Sequence, residues 1–240
     1  MSEIRYDGRV AIITGAGGGL GKTYALMLAK RGAKVVVNDL GGKPDGTGAS
    51  TSMADTTVKE IQEAGGEAVA NYDSVSTPDG GKKITQCALD HFGRVDICIN
   101  NAGVLRDKTF LKLTPEELEI VLDVHLKGAF FVSQPAFAAM KENNYGRILL
   151  TASAAGIFGN FRQTNYGAAK MGLLGLANVL ALEGAKNNIK TNVIAPIAKT
   201  RMTEQLLGPL AAAVMPEHVP PLVAYLVSEQ CPFSRACFSV

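Results

Sequence analysis

Cysteine is scarce: Cys87, Cys98, Cys231 and Cys237 are the four in 240 residues, with no CxxC pair and no metal-ligand spacing. That excludes a disulfide framework and a zinc ribbon, and a chain of this length buries a core without either, so a reducing compartment is expected. Charge of one sign is also lacking, since 24 lysines and arginines stand against 22 aspartates and glutamates. The net charge of +2 gives no field that argues for nucleic acid or an anionic membrane as partner. No run approaches the ~20 apolar residues of a membrane span, and the segment Met1 to Arg9 carries Glu3 and Asp7 where a signal peptide would be basic and then apolar. Phe238, Ser239 and Val240 do not make a peroxisomal address of the Ser-Lys-Leu type. With 47% hydrophobic and 19% charged residues the composition is incompatible with disorder or collagen. Internal repeats and a mid-chain linker are absent, and the expectation is one soluble domain over 1–240.

What is present is an alternation. Short aliphatic runs at 10–13, 34–38, 67–71, 95–99, 147–151 and 191–195 are separated by helical patterns at 20–31, 55–64, 79–91, 116–142, 166–186 and 219–228. Such runs read as strands buried on both faces, and strands alternating with helices read as βαβ units. Right-handed crossovers then give an α/β fold, a doubly wound parallel sheet of six to seven strands with helices on both faces. Thr114, Pro115 and Glu117 form a helix start signal, and Gly32, Gly65 and Gly93 stand where helices end. The Gly-, Ser- and Thr-rich segment 41–52 exceeds the ~2–6 residues of an ordinary αβ or βα connection, which marks it as functional or mobile.

After the first strand, Thr14-Gly15-Ala16-Gly17-Gly18-Gly19-Leu20-Gly21 runs straight into a helix. Glycines there allow a sharp turn and close approach of a pyrophosphate, and the helix N-terminus points free N–H groups at the anion. Leu20 breaks the strict GxGxxG string, leaving GxxxGxG at Gly15, Gly19 and Gly21. Asp39 ends the second strand, near the ~20-residue offset at which an acidic residue accepts from ribose hydroxyls. A carboxylate there repels a 2′-phosphate and favours NAD over NADP, although Lys22 lies next to the turn.

Tyr166 and Lys170 stand at i and i+4 of a helix start, on one face and about a turn apart. An ammonium beside a phenol lowers the phenol from its usual value near ~10 toward the range of a general base. Ser153 follows the fifth strand at the carboxyl end of the sheet, placed to hydrogen-bond a substrate oxygen.

Together with Asn100-Asn101-Ala102-Gly103 and a serine 13 residues before the tyrosine, these features resemble the short-chain dehydrogenase/reductase family over nearly the whole chain. The stretches 37–42, 68–75, 100–107, 123–128, 172–178 and 194–196, with 201–203 and the long 41–52 loop, are similar to its (3R)-hydroxyacyl-CoA dehydrogenase branch. The resemblance implies that Tyr166 removes the hydroxyl proton, that Ser153 holds the substrate oxygen, and that Lys170 binds the nicotinamide ribose and depresses the tyrosine. It also implies Leu20 and Leu40 at the cofactor, Asp73 and Ser74 at the adenine, Asn101 near the ribose, and Ala198, Lys199 and Thr200 beside the nicotinamide amide. NAD as cofactor, an acyl-CoA substrate of fatty-acid β-oxidation, a homodimer through the helices at 116–142 and 166–186, and a peroxisomal location follow from the same resemblance.

Departures accompany it. His125 stands where the family has an asparagine that completes a proton relay; it reads either as a satisfied buried side chain or as a relay member. Ile197 stands where family members commonly have glycine, and only 238–240 offers residues for a seventh strand, so that strand is expected to be truncated. A steroid or 3-oxoacyl reductase on the same scaffold and a nucleotide-binding protein without turnover are the alternatives. Arg106, Lys108 and Lys112 read either as contacts for a CoA phosphate or as a solvated face.

Overall fold

Each aliphatic run forms a strand in the computed structural model, which describes residues 3–198 and 214–240. The strands are β1 (Val10–Thr14), β2 (Lys34–Asn38), β3 (Glu67–Asn71), β4 (Ile97–Asn100), β5 (Gly146–Thr151), β6 (Ile189–Ala195) and β7 (Cys237–Ser239). They form one parallel sheet in the order β3-β2-β1-β4-β5-β6-β7. The strand order reverses between β1 and β4, which opens a crevice at their carboxyl ends. β7 pairs with β6 from Val193 opposite Cys237 to Ala195 opposite Ser239, so a short seventh strand stands where one was expected to begin.

The helices are α1 (Gly19–Lys30), α2 (Ser52–Glu63), α3 (Pro78–Phe92), α4 (Pro115–Leu122), α5 (Gly128–Glu142), α6 (Ala154–Ile157), α7 (Thr164–Gly184) and α8 (Pro220–Leu226). Period-2 alternation divides the strands between two cores. Ile13, Val35, Val37, Ile97 and Leu149 face α1, α2 and α8 through Tyr24, Leu28, Ile61 and Val223. Ile12, Val36, Cys98, Ile148 and Leu150 face α3, α5 and α7 through Ile84, Val132 and Leu173. Burial on both faces is why the strands read as unbroken apolar runs, with about 1.5–3 kcal/mol per buried large aliphatic side chain driving the assembly.

The punctuation behaves as its chemistry dictates. Thr114 and Glu117 close a reciprocal capping box at the start of α4, and Gly32, Gly65 and Gly93 adopt left-handed φ of 96°, 83° and 75° after α1, α2 and α3. One expectation changes. The single helix at 116–142 is two helices joined by a π turn at Asp123–Lys127, an insertion that leaves the apolar pattern intact and so escapes periodicity. The segment Thr164–Asn187 is long and apolar enough, by length and composition alone, to cross a membrane, although Asn165, Lys170, Asn178 and Glu183 interrupt its apolar residues. Here it is a core helix, with Ala169, Leu173 and Ala177 buried and Lys170 held inside.

Candidate active site

The turn from β1 to α1 depends on missing side chains. A Cβ on Gly15 would lie 2.9 Å from the Cα of Ala102, and one on Gly21 would lie 2.2 Å from the carbonyl oxygen of Gly15 and 2.6 Å from Nδ2 of Asn101. Gly15 and Gly19 also take left-handed φ, 64° and 53°. Thr14 ties this turn to the β4 loop, its hydroxyl oxygen accepting from the backbone N–H of Asn101 and of Ala102, both at 3.0 Å. The Asn101 amide donates back to the carbonyl oxygen of Thr14 at 3.1 Å. No side chain caps α1, and no acidic residue stands in its first turn, so its leading N–H groups face an environment suited to an anion.

Asp39 leaves β2 with its carboxylate folded toward the turn. Oδ2 accepts from the Gly17 N–H at 2.8 Å and Oδ1 from the Gly41 N–H at 2.7 Å. Each oxygen retains a lone pair for a hydroxyl donor. Lys22, which adjoins the turn, is occupied elsewhere, with Nζ 2.6 Å from Oε1 of Glu60 on α2. At the end of β3, Asn71 Nδ2 donates to Asp73 Oδ2 at 2.8 Å, while Asn38 Nδ2 donates to the Asp73 carbonyl oxygen at 2.9 Å, fixing the loop that carries Ser74.

Ser153 caps α6, its hydroxyl accepting from the Ala155 N–H at 3.2 Å, and it lines the same cavity as the Tyr166 phenol, whose ionised form it favours. Lys170 Nζ donates to the carbonyl oxygen of Thr151 at the end of β5 and lies 5.5 Å from the centre of the Tyr166 ring. The expected depression of Tyr166 is not found. Burial pushes the phenol above its ordinary value, with Ser153 opposing and the Asp107 carboxylate adding to the rise. Burial likewise lowers Lys170 to about 7. Among the described residues neither side chain meets an opposite charge that offsets its burial, so desolvation outweighs their proximity.

His125 sits on the π turn and meets the Tyr166 ring edge to face at 5.1 Å. Its Nε2 is 2.8 Å from the carbonyl oxygen of Val104, whereas Nδ1 is buried without a partner. Burial, then the nearby Lys170, push its pKa well below the ordinary histidine value, which keeps the ring neutral. The buried hydroxyl of Thr151 also has no partner, and a cavity of about 10 Å³ touches His125, Thr151, Lys170 and Asn100. Half of the histidine is therefore satisfied and half is open toward the lysine.

These elements converge on one cavity of about 1030 Å³. Gly15, Gly19, Leu20, Asp39 and Leu40 line it from the β1 and β2 ends. Asp73, Ser74 and Asn101 line its middle, and Ser153, Tyr166, Lys170 and Ala198 its far end. Gly21 lies behind the turn rather than on the wall, and Lys199 and Thr200 fall outside the described residues. Sequence reasoning did not foresee the roles of Thr14 and Thr151, nor that the 41–51 loop would close one side. Pro44 accepts from the Leu105 N–H at 3.0 Å, and a Cβ on Gly46 would meet Val104 and Ile120 at 3.1 Å. The length of that loop was the available signal.

The cradle, the anion-ready helix end and the carboxylate fit a dinucleotide. The chain also matches the family described as short chain dehydrogenase over residues 9–208. It is 54% identical over its whole length to the peroxisomal multifunctional enzyme type 2 of Mus musculus and 56% identical over 95% of its length to that of Drosophila melanogaster. It spans about a third of the length of these two relatives, 32% and 38%. A short-chain type dehydrogenase/reductase of Mycobacterium tuberculosis is 55% identical over 97% of this chain and 82% of its own length. Among solved structures, the full-length Drosophila enzyme superposes with a TM-score of 0.81 at 46% identity, covering 99% of this chain and 38% of that one. A short chain dehydrogenase from Mycobacterium avium superposes with a TM-score of 0.86 at 42% identity, covering 98% of this chain and 82% of that one. The sheet order agrees with these superpositions, and the chain belongs to the short-chain dehydrogenase family of oxidoreductases.

Proposed function

We propose that this chain oxidises (3R)-3-hydroxyacyl-CoA with NAD, as a step of fatty-acid β-oxidation. The observation that carries the reading is one cavity that joins the Asp39 carboxylate to the Ser153–Tyr166–Lys170 cluster, in a chain over half identical to multifunctional enzymes whose names include a dehydrogenase. Gly15, Gly19, Leu20 and Asn101 hold the pyrophosphate and its ribose. Asp39 would take the adenosine ribose hydroxyls, Leu40, Asp73 and Ser74 would take the adenine, and Ala198 would border the nicotinamide amide. NAD rather than NADP is favoured because Asp39 would repel a 2′-phosphate and Lys22 is already paired with Glu60.

Bound NAD supplies the hydride acceptor. Ser153 donates to the oxygen on carbon 3 and holds it as the carbonyl forms. Tyr166, as phenolate, takes the hydroxyl proton as the C–H bond breaks, and Lys170 orients the nicotinamide ribose from the buried side. A positive charge entering beside Tyr166 and Lys170 would reverse the burial effect on the phenol, which ties its activation to cofactor binding.

The 3-oxoacyl-[acyl-carrier-protein] reductase of Synechocystis is 37% identical over 92% of this chain. Asp39 argues against the NADPH-driven reductive direction here. Relatives named peroxisomal support a peroxisomal location, which fractionation of tagged cells would test. A homodimer belongs to the same proposal. The deciding experiment mixes the purified chain with NAD and, separately, the (3R) and (3S) epimers of a 3-hydroxyacyl-CoA, and follows NADH absorbance. NADH formation from the (3R) epimer alone is expected; no turnover of either epimer with NAD bound would overturn the reading.

A further inference from the structure

Beside the mouth of the main cavity lies a second cleft of about 400 Å³, lined by Lys108, Thr109, Lys112, Phe161 and Arg162. Two loops build it, and both also wall the main cavity. The segment after β4 contributes Leu105 to that cavity, and the segment before α7 contributes Gly159, Asn160 and Gln163. The loops are locked together. The Lys108 N–H donates to the Arg162 carbonyl oxygen at 2.9 Å, Gln163 Nε2 donates to Asp107 Oδ2 at 2.8 Å, and buried Asn165 donates to the Arg106 carbonyl oxygen at 3.1 Å. A cleft held this way is preformed rather than a chance gap between mobile side chains.

Its lining carries three cations and no carboxylate. The acids around it are largely engaged elsewhere: Glu117 Oε1 is 3.6 Å from Lys108 Nζ but also serves the α4 capping box, and Asp107 turns inward to Gln163. Among the described residues, Lys112 and Arg162 have no ion-pair partner. Phe161 stands 81% exposed at the rim, an unusual cost for a large aromatic ring. Arg162, which lines this cleft, holds a left-handed φ of 69°, a conformation a non-glycine residue adopts at some expense, and its Nη2 donates to the Asp107 carbonyl oxygen at 3.4 Å.

We infer that this cleft holds the phosphate-bearing nucleotide of the acyl-CoA, with Lys112, Arg162 and Lys108 on its phosphates and the Phe161 ring stacked on its adenine. Three cations beside an exposed aromatic face match that ligand chemistry, and the cleft adjoins the end of the main cavity that carries Ser153 and Tyr166 rather than the dinucleotide turn. The inference rests on the acyl-CoA reading above and adds the residues that would recognise the CoA handle.

The test uses Lys112→Gln/Arg162→Gln, which removes two charges while keeping polar side chains; the backbone bond from Lys108 to the Arg162 carbonyl and the Gln163–Asp107 bond depend on neither altered side chain. With NADH saturating the dinucleotide site, calorimetric titration of CoA into the variant should show affinity weakened about tenfold or more relative to the unaltered chain. NADH affinity itself reports the fold. In turnover, the ratio of kcat/KM for a (3R)-3-hydroxyacyl-CoA over that for the same acyl pantetheine thioester should fall in the variant by a similar factor, through KM. Equal CoA affinity in the two proteins, with the (3R) thioesters still oxidised, would overturn the subsite and leave the reaction standing. CoA binding that needs Lys112 and Arg162, without oxidation of any thioester, would support the subsite and overturn the reaction. Loss of binding to anionic phospholipid vesicles in the variant, at unchanged CoA affinity, would overturn the subsite and assign the patch to a lipid surface.

Discussion

Burial moves Tyr166 and Lys170 in opposite directions, and the sign of each shift makes a prediction. The phenol lies above its ordinary value and Lys170 near 7, so at neutral pH the base form of Tyr166 is a small fraction of the protein. Oxidation needs that fraction. The kcat/KM for NAD, which reports the protein before NAD binds, should therefore rise with pH through the neutral and mildly alkaline range, with a logarithmic slope of about one; a flat profile of that quantity from initial NADH rates would remove Tyr166 as the base. Tyr166→Phe should cost about 10²–10⁴ in kcat while calorimetry shows NAD affinity retained, and equal loss of binding would count against the assigned role. Asp39 acts at the other end of the cavity. Asp39→Ala should shift the NADP-to-NAD ratio of kcat/KM upward by about tenfold, some 1.4 kcal/mol, because the carboxylate that repels a 2′-phosphate is gone. An unchanged ratio would place cofactor discrimination in another residue.

At the scale of elements, the phosphate turn is the most constrained piece of the chain. Gly21→Ala would drive a Cβ against the Gly15 carbonyl, with backbone on one side and the Asn101 amide on the other. It should lower stability by about 1–3 kcal/mol and abolish NAD binding, read as a fall in thermal midpoint and a lost calorimetric signal; a variant that binds NAD normally would mean that the turn relaxes freely. That turn was legible in the sequence because glycine spacing reports a local backbone need. The six aliphatic strands were legible because parallel strands are apolar on both faces, and Asp39, Ser153, Tyr166 and Lys170 because each stands at a strand or helix end. What was hidden depends on partners distant in the chain. The π turn at Asp123–Lys127 leaves the apolar period unbroken, yet it seats His125 against Tyr166 and Val104. The direction of the Tyr166 shift depends on burial among several elements, which i and i+4 spacing does not report. The length of the 41–51 loop signalled function, but its contact with Leu105 is a tertiary fact.

At the scale of the whole molecule, the sheet separates two tasks. The carboxyl ends of the strands carry the site, while the amino ends are tied by the Asp96 carboxylate, fully buried between Arg9 at 3.0 Å and Arg94 at 2.7 Å. Helix α7 belongs to both the site and the surface. Its first turns present Tyr166 and Lys170 inward, and further along Met171, Val179 and Leu182 stand 49%, 52% and 65% exposed. With Gly175, whose Cβ position is open, these form a stripe at spacings of four, four and three, beside the exposed Phe130 of α5. A stripe of that kind on adjacent helices suits a two-fold contact between identical faces. Sedimentation velocity at micromolar concentration should find a dimer, and Val179→Glu/Leu182→Glu should convert it to a monomer whose circular dichroism is unchanged, because burying two carboxylates in an apolar contact is costly. A dimer indifferent to both charges would move the interface to another face. Since the same helix positions the Tyr166 phenol, the monomeric variant should also lose thermal stability and turnover together, whereas a change in sedimentation alone would show that α7 keeps its catalytic face in register without a partner.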